Sequence, residues 1–304
     1  MSKLRSYPKV WNLGHRAIRD LFEGPVVIQE KVDGSQFSFG VVDGVLECRS
    51  KGAQIHLPTK DKLFKGACET AQRLFDDGIL VEDWIYRGEA LYGPKHNSLT
   101  YERAPNGNII LFDVDTGLED RVADPEGLAQ IGLALGLEVV PTLYVGPVAN
   151  AEELKVFLDT ESILGNVKVE GVVIKNYDRF GEDGKMLMGK IVSEAFREVH
   201  AGEWKKSNPG KTDILGAIKD QYRSTARWEK AIQHGHEEGI LTDTPSDIGP
   251  LLAVIQQDIK EECEDEIKDL LFKAFWKQIG RGAIAGFPEW YKARLTELQF
   301  LEGR

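Results

Sequence analysis

Residues 25–50 read as three consecutive β-strands, and this run constrains the fold more than any other stretch of the chain. The apolar run Pro25–Ile28 and the stretch Gln36–Val42 flank the charged sequence Glu30-Lys31-Val32-Asp33-Gly34. The dipeptide Asp43-Gly44 then separates two apolar runs, which is the strongest short-range signal for a β-hairpin. The sequence therefore predicts an antiparallel sheet near its start, with Lys31 presented where the first strand ends.

Lys31 is a candidate nucleophile. An ammonium group, with an ordinary pKa of ~10.4, attacks only after it loses its proton, and burial or neighbouring positive charge promotes that loss. The pattern Lys-x-Asp-Gly is weak by itself, because average residue usage produces it by chance in on the order of one chain in fifteen of this length. The other charged strands must therefore decide the role of Lys31.

Three further strand-like stretches carry side chains for which a structural and a functional interpretation compete. Arg49 and Lys51 follow the hairpin and are either a solvated strand end or phosphate contacts. Glu89 follows Gly88 inside a strand, where glycine permits close approach of a ligand or another backbone. Glu89 is thus a candidate ribose or metal ligand, or an exposed glutamate. Phe112 is a core residue or a platform for a purine base, since every base has a π-face.

Two later strands combine a carboxylate with lysines. The stretch Lys168–Lys175 contains Glu170 and ends in a lysine, and the stretch Lys185–Val192 carries Lys190. Magnesium binds carboxylate oxygens together with substrate phosphates, and lysines neutralise phosphate charge. The two strands therefore suit a metal–phosphate site.

Helical periodicity predicts three helices among these strands: one within residues 60–77, one from Asp124-Pro125 to Leu135, and one from Ala151 to about Leu164. Strand-like runs cease after about Ser193, and helices are expected over 212–234, over 248–279 with breaks, and over 288–300. The sequence therefore predicts two domains, with mixed elements in residues 1–200 and helices alone in residues 201–304.

Composition limits the setting in which the chain works. The formal net charge is −11, so contact with nucleic acid is expected in a local groove and not over a basic surface. Three cysteines match neither a disulfide nor a zinc spacing, which favours reduced thiols and a cytoplasmic location. No run approaches the ~18 apolar residues that a membrane helix needs, so no membrane contact is expected. The sequence His234-Gly235-His236 lacks further ligands at metal spacing and is interpreted as a solvated helix end.

The charged motifs occur in the order found in the covalent nucleotidyltransferases, which include ATP-dependent DNA ligases, RNA ligases and mRNA capping enzymes. Over residues 30–190 the chain resembles the ATP-grasping ligase core of this superfamily. It looks most like the ATP-dependent RNA ligases of the bacteriophage type that seal nicks in duplex RNA, because helices follow where DNA ligases and capping enzymes carry a β-barrel. The motifs are Glu30-Lys31-Val32-Asp33-Gly34, Arg49-Ser50-Lys51-Gly52, Gly88-Glu89, Leu111-Phe112-Asp113-Val114, Glu170-Gly171-Val172-Val173-Ile174-Lys175 and Lys190.

This resemblance implies an α+β fold: a nucleotidyltransferase core of antiparallel sheets with flanking helices, followed by a small all-helical C-terminal domain. It implies ATP, with AMP carried covalently on Lys31, and Mg²⁺ or Mn²⁺ held by Glu170 and Glu89. The choice between Arg49 and Lys51 as a phosphate contact stays open. The implied catalytic residues are Lys31, Glu170, Lys175 and Lys190, and the implied nucleotide-binding residues are Glu30, Lys31, Asp33, Gly34, Arg49, Lys51, Glu89, Phe112, Glu170, Lys175 and Lys190.

The implied reaction joins an RNA 3′-OH to an RNA 5′-phosphate. Lys31 attacks the α-phosphate of ATP, the AMP passes to the 5′-phosphate, and the 3′-OH displaces it; positive charge from Lys175, Lys190 and the metal is expected to lower the pKa of Lys31. Nicked duplex RNA is the expected partner, the helical domain its platform, and the protein is expected to be a monomer. The residues expected to contact RNA phosphates are Lys205, Lys206, Lys211, Lys219, Arg223 and Arg227.

Three alternatives remain at this point. An ATP-dependent DNA ligase shares the motifs. So does a GTP-using guanylyltransferase of the capping type, against which the lack of strands after Ser193 argues. A non-catalytic nucleotide-binding or RNA-binding module is the alternative of a different class, and the presence of Lys31, Glu89, Glu170 and Lys190 argues against it.

Overall fold

A computed structural model describes residues 4–117, 123–193 and 214–302. Within these ranges all strands lie between residues 11 and 192, and every element from residue 214 onward is helical. This arrangement confirms the expected α+β fold with a helical C-terminal region. The predicted division between residues 200 and 201 lies outside the described residues, as do Lys205, Lys206 and Lys211.

The elements are numbered in chain order. The strands are β1 (Trp11–Asn12), β2 (Pro25–Lys31), β3 (Ser35–Val42), β4 (Val45–Ser50), β5 (Gln54–Ile55), β6 (Ile85–Ala90), β7 (Ile109–Asp115), β8 (Glu138–Val139), β9 (Thr142–Pro147), β10 (Gly171–Phe180) and β11 (Met186–Val192). The α-helices are α1 (Lys65–Asp76), α2 (Pro125–Leu135), α3 (Ile214–Tyr222), α4 (Thr225–Glu237), α5 (Ile248–Ala283) and α6 (Phe287–Glu302), and short 3₁₀-helices span Arg16–Ile18, Asn106–Asn108, Ala151–Asp159 and Pro245–Asp247.

The strands form two sheets. The first has the order β1-β11-β10-β2-β9 and the second the order β5-β4-β3-β6-β7-β8. Their central pairs are antiparallel, and the two-residue strands β1 and β8 add parallel pairs at the edges. The predicted β3–β4 hairpin is confirmed: Asp43 and Gly44 both have positive φ, at 51° and 73°, as a two-residue type I′ turn requires.

Each sheet buries one face under helices. In the second sheet Phe37, Phe39 and Tyr86 pack with residues of α1 and α2 in one core. In the first sheet Ile28, Val172 and other apolar residues pack against the 3₁₀-helices and the loops beside them. Because strand side chains alternate between faces, the charged residues of these strands are carried to the opposite faces.

Several helix predictions need correction. The helix expected to run from Ala151 to about Leu164 is a 3₁₀-helix that ends at Asp159, because Thr160 is extended and the following loop binds the carboxylate of Glu30. The helix expected over 212–234 is two helices, and Ser224 caps the second one. The breaks expected within 248–279 are absent, since α5 is continuous over Ile248–Ala283.

The C-terminal helices build a small core of their own. Ile214, Ile218 and Tyr222 of α3 pack with Cys263 of α5. The described side chains of α6 are exposed. Among the described residues, no helix combines the length and the apolar character that crossing a membrane requires.

Candidate active site

A cavity of about 1170 Å³ lies between the two sheets and is bordered by α4 and α5. On its first-sheet side, β10 pairs with β2 and β11 so that Val173 lies opposite both Gln29 and Lys190. The two-residue period of a strand then brings Lys31 and Lys175 to the same face. Three strands from separate parts of the sequence therefore supply one polar wall.

The structure brings together nearly all of the residues expected from sequence. Arg49 is the exception, because it does not line the cavity. Those that do are Glu30, Lys31, Asp33, Gly34, Lys51, Glu89, Phe112, Glu170, Lys175 and Lys190.

Lys31 lies beside Glu170 at the end of its strand. The Lys31 Nζ atom donates to Glu170 Oε2 at 2.5 Å, and the two side chains are only 28% and 14% exposed. Gly171 lies opposite Lys31, and a Cβ at this position would lie 2.3 Å from the carbonyl oxygen of Ile191 in β11. Glycine thus lets β10 and β11 approach closely where the lysine and the carboxylate meet.

The carboxylates around Lys31 stabilise its ammonium form. Burial favours the neutral amine, but Glu170, Glu89 and Asp33 outweigh burial and raise the pKa of Lys31 above its ordinary value. The expectation that Lys175 and Lys190 lower this pKa does not hold in this arrangement, because each of those lysines contacts a carboxylate of its own. A neutral amine at Lys31 therefore requires that its neighbouring carboxylates be neutralised.

Glu89 faces the same cavity from β6. Burial, together with the charges of Glu237, Glu170 and Asp33, outweighs the attraction of Lys31 and raises the pKa of Glu89 to about 8. Glu89 Oε2 is buried and has no hydrogen-bond partner in the described part of the chain. Burial thus favours the protonated form of Glu89.

Asp33 and Gly34 shape the backbone after Lys31. Asp33 Oδ2 accepts hydrogen bonds from the backbone amides of Ser98 and Leu99, at 2.9 and 2.8 Å. A Cβ on Gly34 would lie 2.9 Å from Glu89 Cβ, so only glycine lets this turn pass the β6 strand. The Asp-Gly pair therefore fixes the position of Lys31 relative to Glu89.

Glu30 anchors a loop rather than pointing an unpaired carboxylate at the cavity. Its side chain accepts hydrogen bonds from Ser162 Oγ at 2.5 Å and from the Ile163 backbone at 3.1 Å. Burial raises the pKa of Glu30, and these two hydrogen bonds oppose the rise. The loop held by Glu30 leads into Glu170, so Glu30 contributes to placing that carboxylate.

Phe112 is held from both sides on the second sheet. The Lys175 ammonium donates to the Phe112 carbonyl at 2.7 Å and pairs with Asp113 Oδ2 at 3.0 Å. The Tyr7 ring meets the Phe112 ring edge-on at 5.0 Å, and the Tyr7 hydroxyl donates to Asp113 at 2.8 Å. Lys175 and Asp113 are each 1% exposed. The aromatic ring that lines the cavity is thus fixed by a buried ion pair.

Arg49 and Lys51 take different directions. Arg49 donates to the carbonyl of Leu4 at 2.6 Å, which directs it toward the N-terminal segment. Lys51 lines the cavity, and burial together with the charge of Lys230 lowers its pKa. Of the two residues, only Lys51 faces the cavity.

The helical domain contributes residues that sequence reasoning missed. Gln233, His234 and Glu262 line the cavity from α4 and α5. Burial, reinforced by Lys51 and Lys230, lowers the pKa of His234 to about 3. His234 is therefore a neutral cavity residue, and its interpretation as a solvated helix end was wrong.

Arg227 and Arg223 differ in their access to solvent. Arg227 was expected to contact RNA, but its side chain is 1% exposed and pairs with Asp258. Arg227 also lines the cavity, so contact between Arg227 and RNA stays a prediction. Lys219 and Arg223 are at the surface of α3 and the segment after it.

Gln29 is a second residue missed from sequence. It is 1% exposed, lines the cavity, and neither Oε1 nor Nε2 has a hydrogen-bond partner among the described residues. Buried amides are normally paired, so an unpaired one facing a cavity indicates a ligand contact. Its position two residues before Lys31, on the same strand face, was the signal available in the sequence.

Glu89 and Glu170 are the residues best placed to hold a divalent metal. No cluster of three or more histidine, cysteine or carboxylate ligands occurs within the described ranges. Magnesium nevertheless commonly takes only one or two carboxylates and completes its shell with water and phosphate oxygens. The unpaired Glu89 oxygen and the neighbouring Glu170 fit that mode.

A sequence-family comparison identifies the chain. The model of the family described as RNA ligase matches residues 24–192, which is more than half of the chain. This protein belongs to the RNA ligase family. The match runs from the residue before β2 to the last residue of β11, and it contains every catalytic, nucleotide-binding and metal-binding residue expected from sequence, but not the residues expected to contact RNA phosphates. No curated protein matches this RNA ligase family member.

Solved structures show a shared fold. A Naegleria gruberi RNA ligase with pyrophosphate is 18% identical with a TM-score of 0.50. A mutant of the same protein with ATP and Mn is 18% identical with a TM-score of 0.52. Each match covers 64% of this chain and 58% of the other. The family member described here thus spans less than two thirds of the length of these relatives.

Proposed function

We propose that the protein is an ATP-dependent RNA ligase that joins a 3′-OH to a 5′-phosphate through lysyl-AMP and RNA-adenylate intermediates. The observation that carries the proposal is the placement of Lys31 at the wall of a cavity, between the buried carboxylates Glu170 and Glu89. At about 1170 Å³ the cavity exceeds the ~300–1,000 Å³ of typical small-molecule sites. It has room for a nucleotide and a reacting end.

The base is proposed to lie between Phe112 and Gln29. Phe112 offers a fixed aromatic face, and stacking on such a face contributes ~1–3 kcal/mol per base. The Gln29 amide presents a donor and an acceptor together, the combination that pairs with N6 and N7 of adenine. This pairing supports ATP over GTP.

Lys31 is proposed to form the covalent link to AMP. The Lys31 ammonium already donates to Glu170 Oε2, so Glu170 is the nearest acceptor for the proton that must leave. A bond then forms between Nζ and the α-phosphorus as the bond from that phosphorus to the bridging oxygen breaks, and pyrophosphate departs. Lys190 and Lys51 lie where they can stabilise the phosphate oxygens.

Glu89 and Glu170 are proposed to hold Mg²⁺ or Mn²⁺. A divalent ion supplies charge that stabilises the phosphate oxygens during displacement. Its charge also offsets the two carboxylates that raise the pKa of Lys31. The same residues thus favour the protonated lysine before metal binding and permit a neutral amine afterwards.

The RNA steps are proposed to use both parts of the chain. The AMP passes from Lys31 to a 5′-phosphate, and the 3′-OH then displaces it. We propose residues 1–200 as the adenylation domain, residues 201–304 as the platform for the ends of a nicked duplex, and a monomer as the working form. Lys219 and Arg223 are exposed basic residues on that platform.

The test is transfer of label from α-³²P-ATP to the protein. The wild-type protein should become labelled, and Lys31→Ala should lose the label because the amine that forms the phosphoramidate is gone. Lys65→Ala, an exposed lysine on α1 paired with Glu69, is the matched control and should label normally. Undiminished labelling of Lys31→Ala would refute the assignment of the nucleophile.

The same assay separates the neighbouring activities. Labelling from α-³²P-GTP in place of ATP would indicate a capping-type guanylyltransferase. Sealing is then measured on nicked duplexes with RNA or DNA on either side of the nick. A labelled protein that seals no nick would contradict the ligase assignment while leaving nucleotidyl transfer intact.

A further inference from the structure

Positive charge from both domains converges on one carboxylate at the edge of the cavity. Lys190 of β11 and Lys230 of α4 each place Nζ 3.4 Å from the same atom, Glu262 Oε1 of α5. Lys51 lines the same cavity, and its charge acts on Glu262 as well. Glu262 therefore faces three lysines.

The cluster is largely enclosed. The side chains of Lys190, Lys230 and Glu262 are 15%, 22% and 11% exposed, so water screens them weakly. Glu262 Oε2 is buried and has no hydrogen-bond partner in the part of the chain that is described. Asp258 pairs with Lys230 at 3.9 Å as well as with Arg227. A polyvalent anion that enters the cavity would meet ammonium groups from both parts of the chain at this point.

The lysine cluster is continuous with the nucleophile. The charge of Lys190 acts on Glu170, which contacts Lys31, and also on Glu262. A row of alternating charges thus runs from Lys31 through Glu170, Lys190 and Glu262 to Lys230. A nucleotide whose α-phosphate meets Lys31 extends its remaining phosphates along such a row, since the leaving group departs away from the attacking amine.

We propose that Lys51, Lys190 and Lys230 form a polyphosphate subsite shared by the two domains, which binds the β- and γ-phosphates of ATP and the pyrophosphate released from them. Glu262 competes with those phosphates for the same ammonium groups. The identity of the nucleotide rests on the proposed function, whereas binding of pyrophosphate does not. The helical domain thereby takes part in nucleotide binding through Lys230.

The test measures equilibrium binding of ATP, AMP and inorganic pyrophosphate by titration calorimetry. All variants carry Lys31→Ala, so that ATP stays intact. Lys230→Ala should weaken binding of ATP and pyrophosphate about tenfold, which corresponds to about 1.4 kcal/mol, and should change AMP binding less than twofold. Glu262→Gln should tighten binding of ATP and pyrophosphate, a gain that misfolding cannot imitate. Lys273→Ala, an exposed lysine on α5 away from the cavity, should change nothing.

Three results would overturn the subsite. Equal losses for AMP and ATP in Lys230→Ala would indicate a structural role for Lys230. Unchanged or weaker pyrophosphate binding in Glu262→Gln would show that Glu262 does not compete with phosphates for the lysines. Weaker binding of a 5′-phosphorylated oligonucleotide with unchanged ATP binding would assign the lysines to the RNA end instead. Failure of the wild-type protein to form lysyl-AMP would refute the proposed function but leave the pyrophosphate result standing.

Discussion

The buried pair Lys175–Asp113 should be the most sensitive point of the fold beside the cavity. The two side chains are 1% exposed with Nζ and Oδ2 3.0 Å apart, so removing one partner leaves an uncompensated buried charge. Such a change costs about 3–5 kcal/mol in free energy of unfolding. Lys175→Met leaves the Asp113 carboxylate with the Tyr7 hydroxyl and a backbone amide, whereas Asp113→Asn leaves the ammonium with the Phe112 carbonyl.

The double variant Lys175→Met/Asp113→Asn removes both charges and keeps side chains of similar volume. Replacing a buried pair in this way is often close to neutral. We therefore expect the double variant to be more stable than either single variant, as measured by urea unfolding followed by far-UV circular dichroism. Single variants that each cost less than about 1 kcal/mol, or costs that simply add in the double variant, would refute a coupled buried pair.

The double variant also tests how Lys175 acts. Its ammonium is occupied by Asp113 and by the backbone of Phe112, so we expect Lys175 to act by positioning that ring. Weaker AMP binding with less than a tenfold change in the rate of lysyl-AMP formation is then expected at saturating ATP. A loss of about a hundredfold in that rate at saturating ATP would instead place the Lys175 charge on the reacting phosphate.

Three further predictions concern the backbone, the metal and the substrate. Gly34→Ala places a Cβ 2.9 Å from Glu89 Cβ and should slow lysyl-AMP formation at least about tenfold. The control Gly249→Ala, whose Cβ would meet nothing within 4 Å, should leave the rate unchanged. Equal rates for the two variants in single-turnover labelling would contradict the role of Gly34. Glu89 has a pKa of about 8 and must lose its proton to bind a metal, so the Mg²⁺ concentration for half-maximal labelling should fall as pH rises from about 6.5 to 8.5. The variant Glu89→Gln should show a weaker dependence on pH. A pH-independent Mg²⁺ requirement in the wild-type protein would exclude Glu89 as a metal ligand. Sealing should require ribose on the 3′-OH side of a nick and tolerate deoxyribose on the 5′-phosphate side, and its rate should fall as salt is added. Equal sealing of an all-DNA nick at the same salt concentration would contradict selectivity for RNA.

The part of the site that could be predicted from sequence is the part built by strands. Local pattern singled out Lys31 at the end of a strand, Glu89 beside a glycine and Lys190 within a strand, and the Asp43-Gly44 turn predicted the β3–β4 hairpin. Helix α2 was equally predictable, because Asp124 caps it and Gly136 ends it with φ at 65°. Each of these signals lies within a few residues of what it determines.

Contacts between residues far apart in the sequence could not be predicted from such local patterns. The 3₁₀-helix Ala151–Asp159 carries an apolar spacing that also suits an α-helix, and it ends where Glu30 binds Ser162, across more than a hundred residues of sequence. The pKa of Lys31 was misjudged for the same reason. Sequence placed lysines near it but did not show that Lys175 contacts Asp113 or that Lys190 contacts Glu262.

The helical domain shows how burial changes the meaning of a charge pattern. In the sequence, the acidic residues of α5 resemble a solvated surface. In the fold, three of them contact the first domain: Glu262 with Lys190, Glu261 with Lys9 at 3.5 Å, and Asp265 with Arg16 at 2.8 Å.

These ion pairs differ in how much free energy they contribute to the packing of the C-terminal helices. Lys9 and Arg16 are 35% and 79% exposed, so salt screens their pairs and each contributes at most about 1 kcal/mol. The ion pairs of Glu262 with Lys190 and Lys230 are largely enclosed, and the same two lysines are proposed to bind the phosphates of ATP. Polyphosphate binding would therefore replace an enclosed electrostatic link between β11 and the C-terminal helices by one through the ligand, so the packing of those helices should depend less on salt with ATP bound than without it.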